Sequence, residues 1–220
     1  MVTLSIPPYG VQDIVRQFHL SQDIVDRLCA YENILRTWQR KINLVGGKSL
    51  DDFWRRHILD SLQILPHILP AVKTVVDLGS GAGLPGLILA VAMADDRDVD
   101  VHLIESDQRK AVFLREASRE TGAGVTVHNA RIEKMPGLEA DVITARALAP
   151  LTDLLELSAP HRHDDTVMLF LKGENVGEEL TAADKSWTMQ VSEIPSLCGG
   201  SGCLLKINDV MKIKDVKRRG

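Results

Sequence analysis

Apolar residues recur at helical spacing over the first third of the chain, which predicts two amphipathic helices. The first begins after Ser21, a residue suited to capping a helix N-terminus. Its apolar positions lie four and three residues apart and are Ile24, Leu28, Tyr31, Leu35 and Trp38. The second helix is capped by Asp51 or Asp52 and ends near Pro66. Residues 1–70 are therefore predicted to form an N-terminal helical cap.

Short apolar runs alternate with helical patterns from residue 71 onward. The predicted strands cover residues 72–77, 99–105, 125–128, 141–145 and 166–172. The predicted helices cover 85–93, 107–121, a stretch ending near Leu157, and 174–183. Two further strands, 187–194 and 203–207, flank a glycine-rich turn and predict an antiparallel hairpin.

This alternation is typical of an α/β protein with a Rossmann-like, doubly wound sheet. Five crossover strands and a terminal antiparallel hairpin match the seven-stranded class I methyltransferase sheet better than the six-stranded, all-parallel dinucleotide fold. The sheet domain is predicted over residues 71–209, and residues 210–220 are predicted as a basic C-terminal tail. A ligand of such a sheet lies at the carboxyl ends of its first strands.

A glycine loop joins the first predicted strand to the first helix of this domain. Residues 75–86 read Val-Val-Asp-Leu-Gly-Ser-Gly-Ala-Gly-Leu-Pro-Gly, with Gly79, Gly81 and Gly83 at alternate positions. Glycine tolerates positive φ and lets a ligand approach the backbone closely. A dinucleotide fingerprint would carry its third glycine where Leu84 stands. The loop therefore predicts a nucleotide-like ligand but does not fix its identity.

Two acidic residues at strand ends favour a cationic adenosyl compound as that ligand. Asp77 ends the first strand beside the loop, where it would repel a pyrophosphate. S-adenosylmethionine brings a sulfonium and an ammonium group instead, and a nearby carboxylate attracts both. Glu105 ends the second strand and can accept hydrogen bonds from two ribose hydroxyls. S-adenosylmethionine is thus the predicted cofactor, and an NAD-linked oxidoreductase is the alternative.

The composition is that of an ordinary globular protein, with 220 residues, 45% hydrophobic and 25% charged. No apolar run approaches the roughly 20 residues of a membrane helix, and the first residues lack a signal-peptide pattern. A cytoplasmic protein with no membrane partner is therefore expected. Cys29, Cys198 and Cys203 have no metal-ligand spacing and are odd in number, so reduced thiols and no metal site are expected.

Charge is distributed unevenly along the chain. The net charge of −4 argues mildly against a nucleic-acid partner. Basic residues nevertheless outnumber acidic ones over residues 36–56 and 206–219, whereas the middle of the chain is acidic. Such segregation is what a local phosphate-binding face requires, although charged chain ends are often only solvated.

Several segments resemble the glucose-inhibited division protein B family of bacterial methyltransferases, over about residues 24–207. They are Asn43-Leu44, Arg56-His57-Ile58-Leu59-Asp60-Ser61, the loop from Asp77 to Gly86, Arg109-Lys110, Phe113-Leu114-Arg115, Arg131-Ile132-Glu133, Ala145-Arg146-Ala147 and Leu171-Lys172-Gly173. The glycine loop alone is generic, whereas the segments around His57 and Arg146 are much more specific. The resemblance implies methylation by S-adenosylmethionine of N7 of one guanine in 16S rRNA of the 30S ribosomal subunit, with S-adenosylhomocysteine as product.

The resemblance also implies roles for individual residues. Gly79, Leu84, Ile132, Glu133 and Arg146 are expected to line the cofactor site, where Asp77, Gly81, Gly83 and Glu105 already fit. Ile132 and Glu133 would edge the adenine, and Arg146 would reach either the cofactor carboxylate or the RNA. The candidate RNA contacts are Arg55, Arg56, His57, Arg146 and Lys172. His57 is equally a structural histidine that meets Asp60 three residues on, and Lys172 is equally part of a helix-entry loop.

The predicted chemistry needs orientation more than acid or base catalysis. Guanine N7 already carries a lone pair, so no proton has to leave before methyl transfer, and no catalytic residue is assigned. No Pro-Cys or Thr-Cys pair supplies the thiolate of pyrimidine C5 methylation, and no Asn-Pro-Pro-aromatic run suggests amino-group methylation. A non-catalytic rRNA-binding assembly factor is the remaining alternative. A monomer that acts on 16S rRNA or the 30S subunit is expected.

Overall fold

The computed structural model describes residues 9–94 and 98–213. Most of the acidic loop at 95–98 and the last residues of the predicted basic tail, 214–220, lie outside the described residues. Within the described parts, no helix is both long enough and apolar enough to cross a membrane. Nor does any group of His, Cys, Asp or Glu side chains there have the arrangement of a metal site.

The N-terminal region is helical, and its first two helices are α1 (Val11–Phe18) and α2 (Gln22–Gln39). Ser21 caps α2 as predicted, because its hydroxyl accepts a hydrogen bond from the backbone N–H of Ile24 at 3.3 Å. The buried face of α2 packs against the sheet domain, where the Tyr31 hydroxyl donates to the carbonyl of Ala82 in the glycine loop at 2.7 Å. This helix therefore fixes the cap against the loop.

The prediction of one α-helix from Asp51 or Asp52 to Pro66 is wrong. The segment is a 3-10 helix (Gly47–Asp52), a π-helix (Trp54–Leu59), a short α3 (Asp60–Leu62) and a second 3-10 helix (Leu65–His67). In the π turn the Asp60 N–H donates to the carbonyl of Arg55, one residue further back than in an α-helix. The Arg56 carbonyl instead accepts a hydrogen bond from the Arg146 side chain at 3.0 Å. A distant arginine therefore stabilises the wider turn, and hydrophobic spacing carries no sign of that.

Seven strands form one mixed sheet in the order β3-β2-β1-β4-β5-β7-β6. The strands are β1 (Thr74–Leu78), β2 (Asp100–Ile104), β3 (Thr126–His128), β4 (Ala140–Arg146), β5 (Arg162–Lys172), β6 (Trp187–Pro195) and β7 (Cys203–Lys212). Strands β1 to β5 are parallel, and β7 runs antiparallel to both β5 and β6. The predicted doubly wound, seven-stranded sheet with a terminal hairpin is confirmed. The last strand continues through Lys212, so residues 210–212 belong to the sheet.

The helices of the sheet domain cover both faces of the sheet. They are α4 (Gly86–Met93), α5 (Gln108–Thr121), α6 (Leu151–Ser158) and α7 (Val176–Ala183). Every residue of α4 is buried, which explains why its sequence is apolar on all sides. Asp107 caps α5 and Gly122, at φ 64°, ends it. One apolar core joins α2, α4 and α5 to one sheet face, and a second lies under α6 and the hairpin.

Candidate active site between two adjoining cavities

The glycine loop after β1 has a backbone that only glycine accommodates well. Gly79 and Gly83 lie at φ 64° and 82°, in the left-handed region that other residues rarely adopt. A Cβ on Gly79 would lie 2.5 Å from Cδ1 of Leu148, and one on Gly83 would lie 2.8 Å from Cβ of Leu87. The loop is therefore pressed against the segment that follows β4.

A first cavity of about 370 Å³ opens at the carboxyl ends of β1, β2 and β4. Its volume lies in the range of small-molecule sites in proteins. Most of the predicted cofactor residues line it, namely Gly79, Gly81, Leu84, Glu105, Ile132, Glu133 and Arg146. Gly83 and Asp77 do not line it. The structure thus collects residues that are up to 67 positions apart in sequence around one opening.

The Glu105 side chain organises the floor of this first cavity. It is only 7% exposed, and its Oε2 accepts a hydrogen bond from the Gly81 N–H at 2.9 Å. Its Oε1 accepts from the Asp107 N–H at 2.7 Å. A carboxylate has about four acceptor positions, so both oxygens keep lone pairs for ribose hydroxyls.

Asp77 lies fully buried at the end of β1, behind the glycine loop. Its Oδ1 accepts a hydrogen bond from Thr144 Oγ1 at 2.7 Å, and its Oδ2 has no hydrogen-bond partner among the described residues. Burial raises the pKa of Asp77 to about 6, although the hydrogen bond from Thr144 acts in the opposite direction. This acid therefore influences the cavity through the loop and through its charge, not by lining the wall.

Ile132 and Glu133 lie on the far wall of the first cavity, in a 3-10 helix (Ile132–Lys134) after β3. Ile132 is buried and Glu133 is exposed, so the wall offers an apolar surface and a carboxylate side by side. Asn129 holds this wall to the end of β2, because its Nδ2 donates to the Glu105 carbonyl at 2.9 Å. The combination suits an adenine ring, which has an apolar face and polar edges.

A second cavity of about 970 Å³ adjoins the first. The two share Arg146, Ala147 and Leu148, so the segment after β4 is the wall between them. Every predicted RNA contact lines the second cavity, namely Arg55, Arg56, His57, Arg146 and Lys172. Arg55 also pairs with Asp52 at 3.5 Å and lies 5.0 Å from the ring centre of Tyr9, whereas Arg56 is exposed.

Arg146 is held firmly at the wall between the cavities. Its Nη1 donates to Asp60 Oδ2 at 2.9 Å and to the Arg56 carbonyl at 3.0 Å. Its Nη2 lies 3.2 Å from Nδ1 of His57. The predicted contact between His57 and Asp60 is therefore replaced by a contact of each residue with Arg146. The guanidinium has five N–H donors, so two have no partner among the described residues and remain for a ligand.

The contacts of His57 define its tautomer. An arginine cannot accept a hydrogen bond, so Nδ1 of His57 must accept from Arg146, and the ring proton lies on Nε2. Nε2 lies 2.8 Å from the hydroxyl oxygen of Ser49, which accepts it. Burial and the neighbouring arginines lower the pKa of His57 to about 3. At neutral pH His57 is therefore an uncharged structural ring whose nitrogens are both occupied, and it is not placed to remove a proton.

Lys172 lies in the second cavity but is already paired. Its side chain is 8% exposed and its Nζ lies 2.5 Å from Oε2 of Glu179. The same Nζ donates to the carbonyl of Ala149 at 3.0 Å. The structure therefore ties Lys172 to the wall segment.

Sequence reasoning missed several residues that shape the second cavity. They are Ser49, Asp60, Glu179 and Cys198. The Cys198 thiol donates to the Arg55 carbonyl at 3.0 Å, and Gln63 Oε1 accepts from the Leu197 N–H at 2.9 Å, so the β6–β7 turn is fastened to the cap. Desolvation raises the pKa of Cys198 to about 12, so the thiol is protonated at neutral pH. Of these four residues, only Asp60 could have been found from the sequence, because it belongs to the segment Arg56–Ser61 that resembles the family.

Comparison with known proteins identifies the family. The family model described as rRNA small subunit methyltransferase G matches residues 24–202. A protein named ribosomal RNA small subunit methyltransferase G from Paramagnetospirillum magneticum is 46% identical over 203 residues, 92% of this chain and 97% of the relative. One of the same name from Rhodospirillum centenum is 46% identical over 207 residues, 94% of each chain.

Solved structures with low sequence identity share the fold. A SAM-dependent methyltransferase from Aquifex aeolicus aligns with a TM-score of 0.55 at 19% identity, over 73% of this chain and 94% of that one. An O-methyltransferase from Bacillus cereus in complex with SAH aligns with a TM-score of 0.56 at 12% identity, over 90% and 96%. These likenesses support the fold alone, whereas the matches to the family model and to the relatives establish descent. The resemblance inferred from the sequence is thus confirmed, and this chain belongs to the GidB family of rRNA small subunit methyltransferases.

Proposed function

We propose that this protein transfers a methyl group from S-adenosylmethionine to N7 of a specific guanine in 16S rRNA. The observation that carries the proposal is the pair of adjoining cavities with one shared wall, residues 146–148. The first has acidic side chains and a glycine cradle, and the second has an arginine-rich rim. Family membership supports the same reaction class and substrate.

The first cavity fits the adenosyl cofactor. The left-handed glycines leave room for a ligand against the backbone, and a Cβ at Gly79 would already collide with Leu148. Glu105 and Glu133 supply acceptors for ribose and adenine, and Ile132 supplies an apolar contact. The buried charge of Asp77 lies behind the loop without a full set of partners, which favours a cationic ligand over a pyrophosphate. The bound cofactor would supply an electrophilic methyl group on sulfur.

The second cavity fits an unpaired guanine and its phosphates. Its lining holds four cations, three of which pair with acids of the same lining: Arg55 with Asp52, Arg146 with Asp60 and Lys172 with Glu179. The exposed Arg56 then supplies the surplus positive charge for a phosphate. N7 faces the deep and narrow groove of an RNA duplex, so the target must lie in a loop or be splayed out, and a cavity of about 970 Å³ has room for it. The two N–H groups of Arg146 that have no partner among the described residues can donate to the RNA or to the carboxylate of the cofactor.

The reaction needs no general base, because N7 of guanine already carries a lone pair. His57 has both ring nitrogens hydrogen-bonded and is uncharged at neutral pH, so it is not placed to remove a proton. The protein's contribution is then to hold the guanine in line with the methyl group. Orientation of this kind can lower a barrier by roughly 7–11 kcal/mol.

Mass mapping of 16S rRNA tests this function in cells. Cells without the gene should lose one 7-methylguanosine, and a plasmid copy should restore it. A plasmid copy that carries Gly79→Ala should restore it poorly, because a Cβ there collides with Leu148, which lines both cavities. Unchanged 16S rRNA methylation without the gene would contradict the proposal, and rescue of ribosome assembly without any methyl mark would indicate a binding factor instead.

We further infer that the protein works in the cytoplasm as a monomer, on free 16S rRNA or on the 30S subunit. Light scattering of the purified protein should give a mass near 24.3 kDa. A mass twice as large that persists on dilution would contradict the inference.

A further inference from the structure

The segment between β4 and α6, residues 147–150, begins in the wall shared by the two cavities and continues along the second cavity. Ala147 has φ 51°, a left-handed conformation that costs a non-glycine residue about 1–3 kcal/mol. Leu148, the next residue, packs on the glycine loop of the first cavity. A strained segment keeps its shape only when neighbouring elements hold it, so the residues that restrain it also set the position of the wall that it forms in the second cavity.

One carboxylate restrains the far end of this segment. Glu179 on α7 accepts a hydrogen bond from the Leu151 N–H, the first of α6, at 2.6 Å. Pro150 stands at the N-cap of α6 and provides no side-chain cap, so the cap comes from another helix. A negative charge at this position also favours the helix dipole.

The same carboxylate reaches the middle of the segment through Lys172. Its Oε2 pairs with Nζ of Lys172 at 2.5 Å, and this Nζ donates to the Ala149 carbonyl. The side chains are 8% and 23% exposed, so the pair is shielded from water more than a surface ion pair. One residue of α7 and one of β5 thus clamp both ends of the Ala149–Leu151 stretch.

We propose that Glu179, acting through Lys172 and the Leu151 N–H, is a positioning residue for methyl transfer. Its task is to keep the wall segment 147–150 at the distance from the glycine loop that lets the two reactants meet. The proposal rests on the proposed function, since it assigns the second cavity to the methyl acceptor. Glu179, Lys172 and Ala149 line the second cavity and not the first, so we expect the loss to fall on the reaction rate with RNA and not on cofactor affinity.

Two variants at neighbouring positions of α7 test the proposal. Glu179→Met removes the carboxylate. Glu178→Met is the matched control, because Glu178 is exposed on the same helix and forms no hydrogen bond or ion pair with residues 147–151 in the described part of the chain. We expect Glu179→Met to lower kcat for 16S rRNA about tenfold to a hundredfold, as small misplacements do. The affinity for S-adenosylhomocysteine in calorimetry should stay at the wild-type value. Glu178→Met should match wild type in both.

A second variant keeps the test valid if Glu179→Met folds poorly, because that change leaves Lys172 shielded without its partner. The double change Lys172→Met and Glu179→Met removes both charges, a replacement that is often neutral for stability. The double variant should have the melting temperature of the wild-type protein but a lower kcat. Its amide hydrogen exchange over residues 147–151 should be faster than in wild type. That exchange reading does not depend on the substrate.

Three results would overturn the proposal. The first is equal kcat for the Glu179 and Glu178 variants, and the second is faster exchange over 147–151 with kcat unchanged. The third is a parallel fall of kcat, cofactor affinity and melting temperature, which would make Glu179 purely structural. A wild-type protein that does not methylate 16S rRNA would count against the proposed function, while the exchange comparison would still decide whether Glu179 holds the segment.

Discussion

Asp77→Asn should change how the stability of the protein depends on pH. The carboxyl group is fully buried, with a pKa raised to about 6 by burial from an ordinary value of 3.8. Thr144 donates to one oxygen, and the other has no partner among the described residues. Asparagine keeps the shape and the acceptor for Thr144 but cannot ionise. A comparison of the two proteins therefore isolates the cost of the buried charge.

The size of the effect follows from the two pKa values. Because the folded pKa lies above the unfolded one, the favourable contribution of protonated Asp77 is complete below 3.8 and is lost as the pH rises through about 6. The shift of about two pKa units corresponds to about 3 kcal/mol in total. About 1.4 kcal/mol of this falls between pH 5 and pH 8, or roughly 3–6 °C in melting temperature.

Urea unfolding of the cofactor-free proteins at pH 5 and pH 8 measures the effect. The free energy of unfolding of Asp77→Asn relative to wild type should rise by about 1.4 kcal/mol from the lower to the higher pH. Asp164→Asn, a change at an exposed position, should show no such trend. A difference between Asp77→Asn and wild type that is the same at both pH values would refute the reasoning, because it would mean that this acid carries no burial cost.

Other changes test the remaining parts of the site. His57→Gln should make the free energy of unfolding less dependent on pH below 6.5. The His57 pKa is lowered from 6.5 to about 3, so the wild-type protein loses stability as the pH falls from 6.5 toward 3. Urea midpoints of both proteins at pH 4.5 and pH 7 measure this difference. Gly79→Ala should cost about 1–3 kcal/mol in backbone strain and also weaken S-adenosylhomocysteine binding in calorimetry, because its Cβ meets Leu148. Gly200→Ala is its control, with φ 77° but no atom within 4 Å, and should leave binding intact. Glu105→Gln should weaken the same binding about tenfold, since an amide cannot accept from both Gly81 and Asp107, and equal affinity would contradict that role.

Much of the fold is predictable from sequence because its signals are local. The strand before the glycine loop, the cap at Ser21 and the stop at Gly122 each follow from a few neighbouring residues. The terminal hairpin follows from its glycine-rich turn. The alternation of strands and helices then fixes the sheet, because parallel strands need crossovers. The cofactor cavity is foreseeable for the same reason, since ligands gather at the carboxyl ends of such strands.

The rest depends on contacts between distant residues, which periodicity does not encode. The π turn around His57 depends on Arg146, 89 positions later. The β6–β7 turn is fastened to the cap by Gln63, 134 positions from Leu197. The sequence suggested Lys172 as an RNA contact or as part of a helix-entry loop, and only the folded chain shows that Glu179 pairs with it. Asp77 looked like a wall residue, yet its buried position shows only in three dimensions.

The most direct measurement of the central claim is transfer of label from methyl-tritiated S-adenosylmethionine to 16S rRNA by the purified protein. The account predicts that nucleoside analysis of the product, from naked RNA or from 30S subunits, recovers the tritium in 7-methylguanosine at a single position. Tritium in a pyrimidine or in an amino group, or no incorporation by a protein that binds S-adenosylhomocysteine, would contradict it.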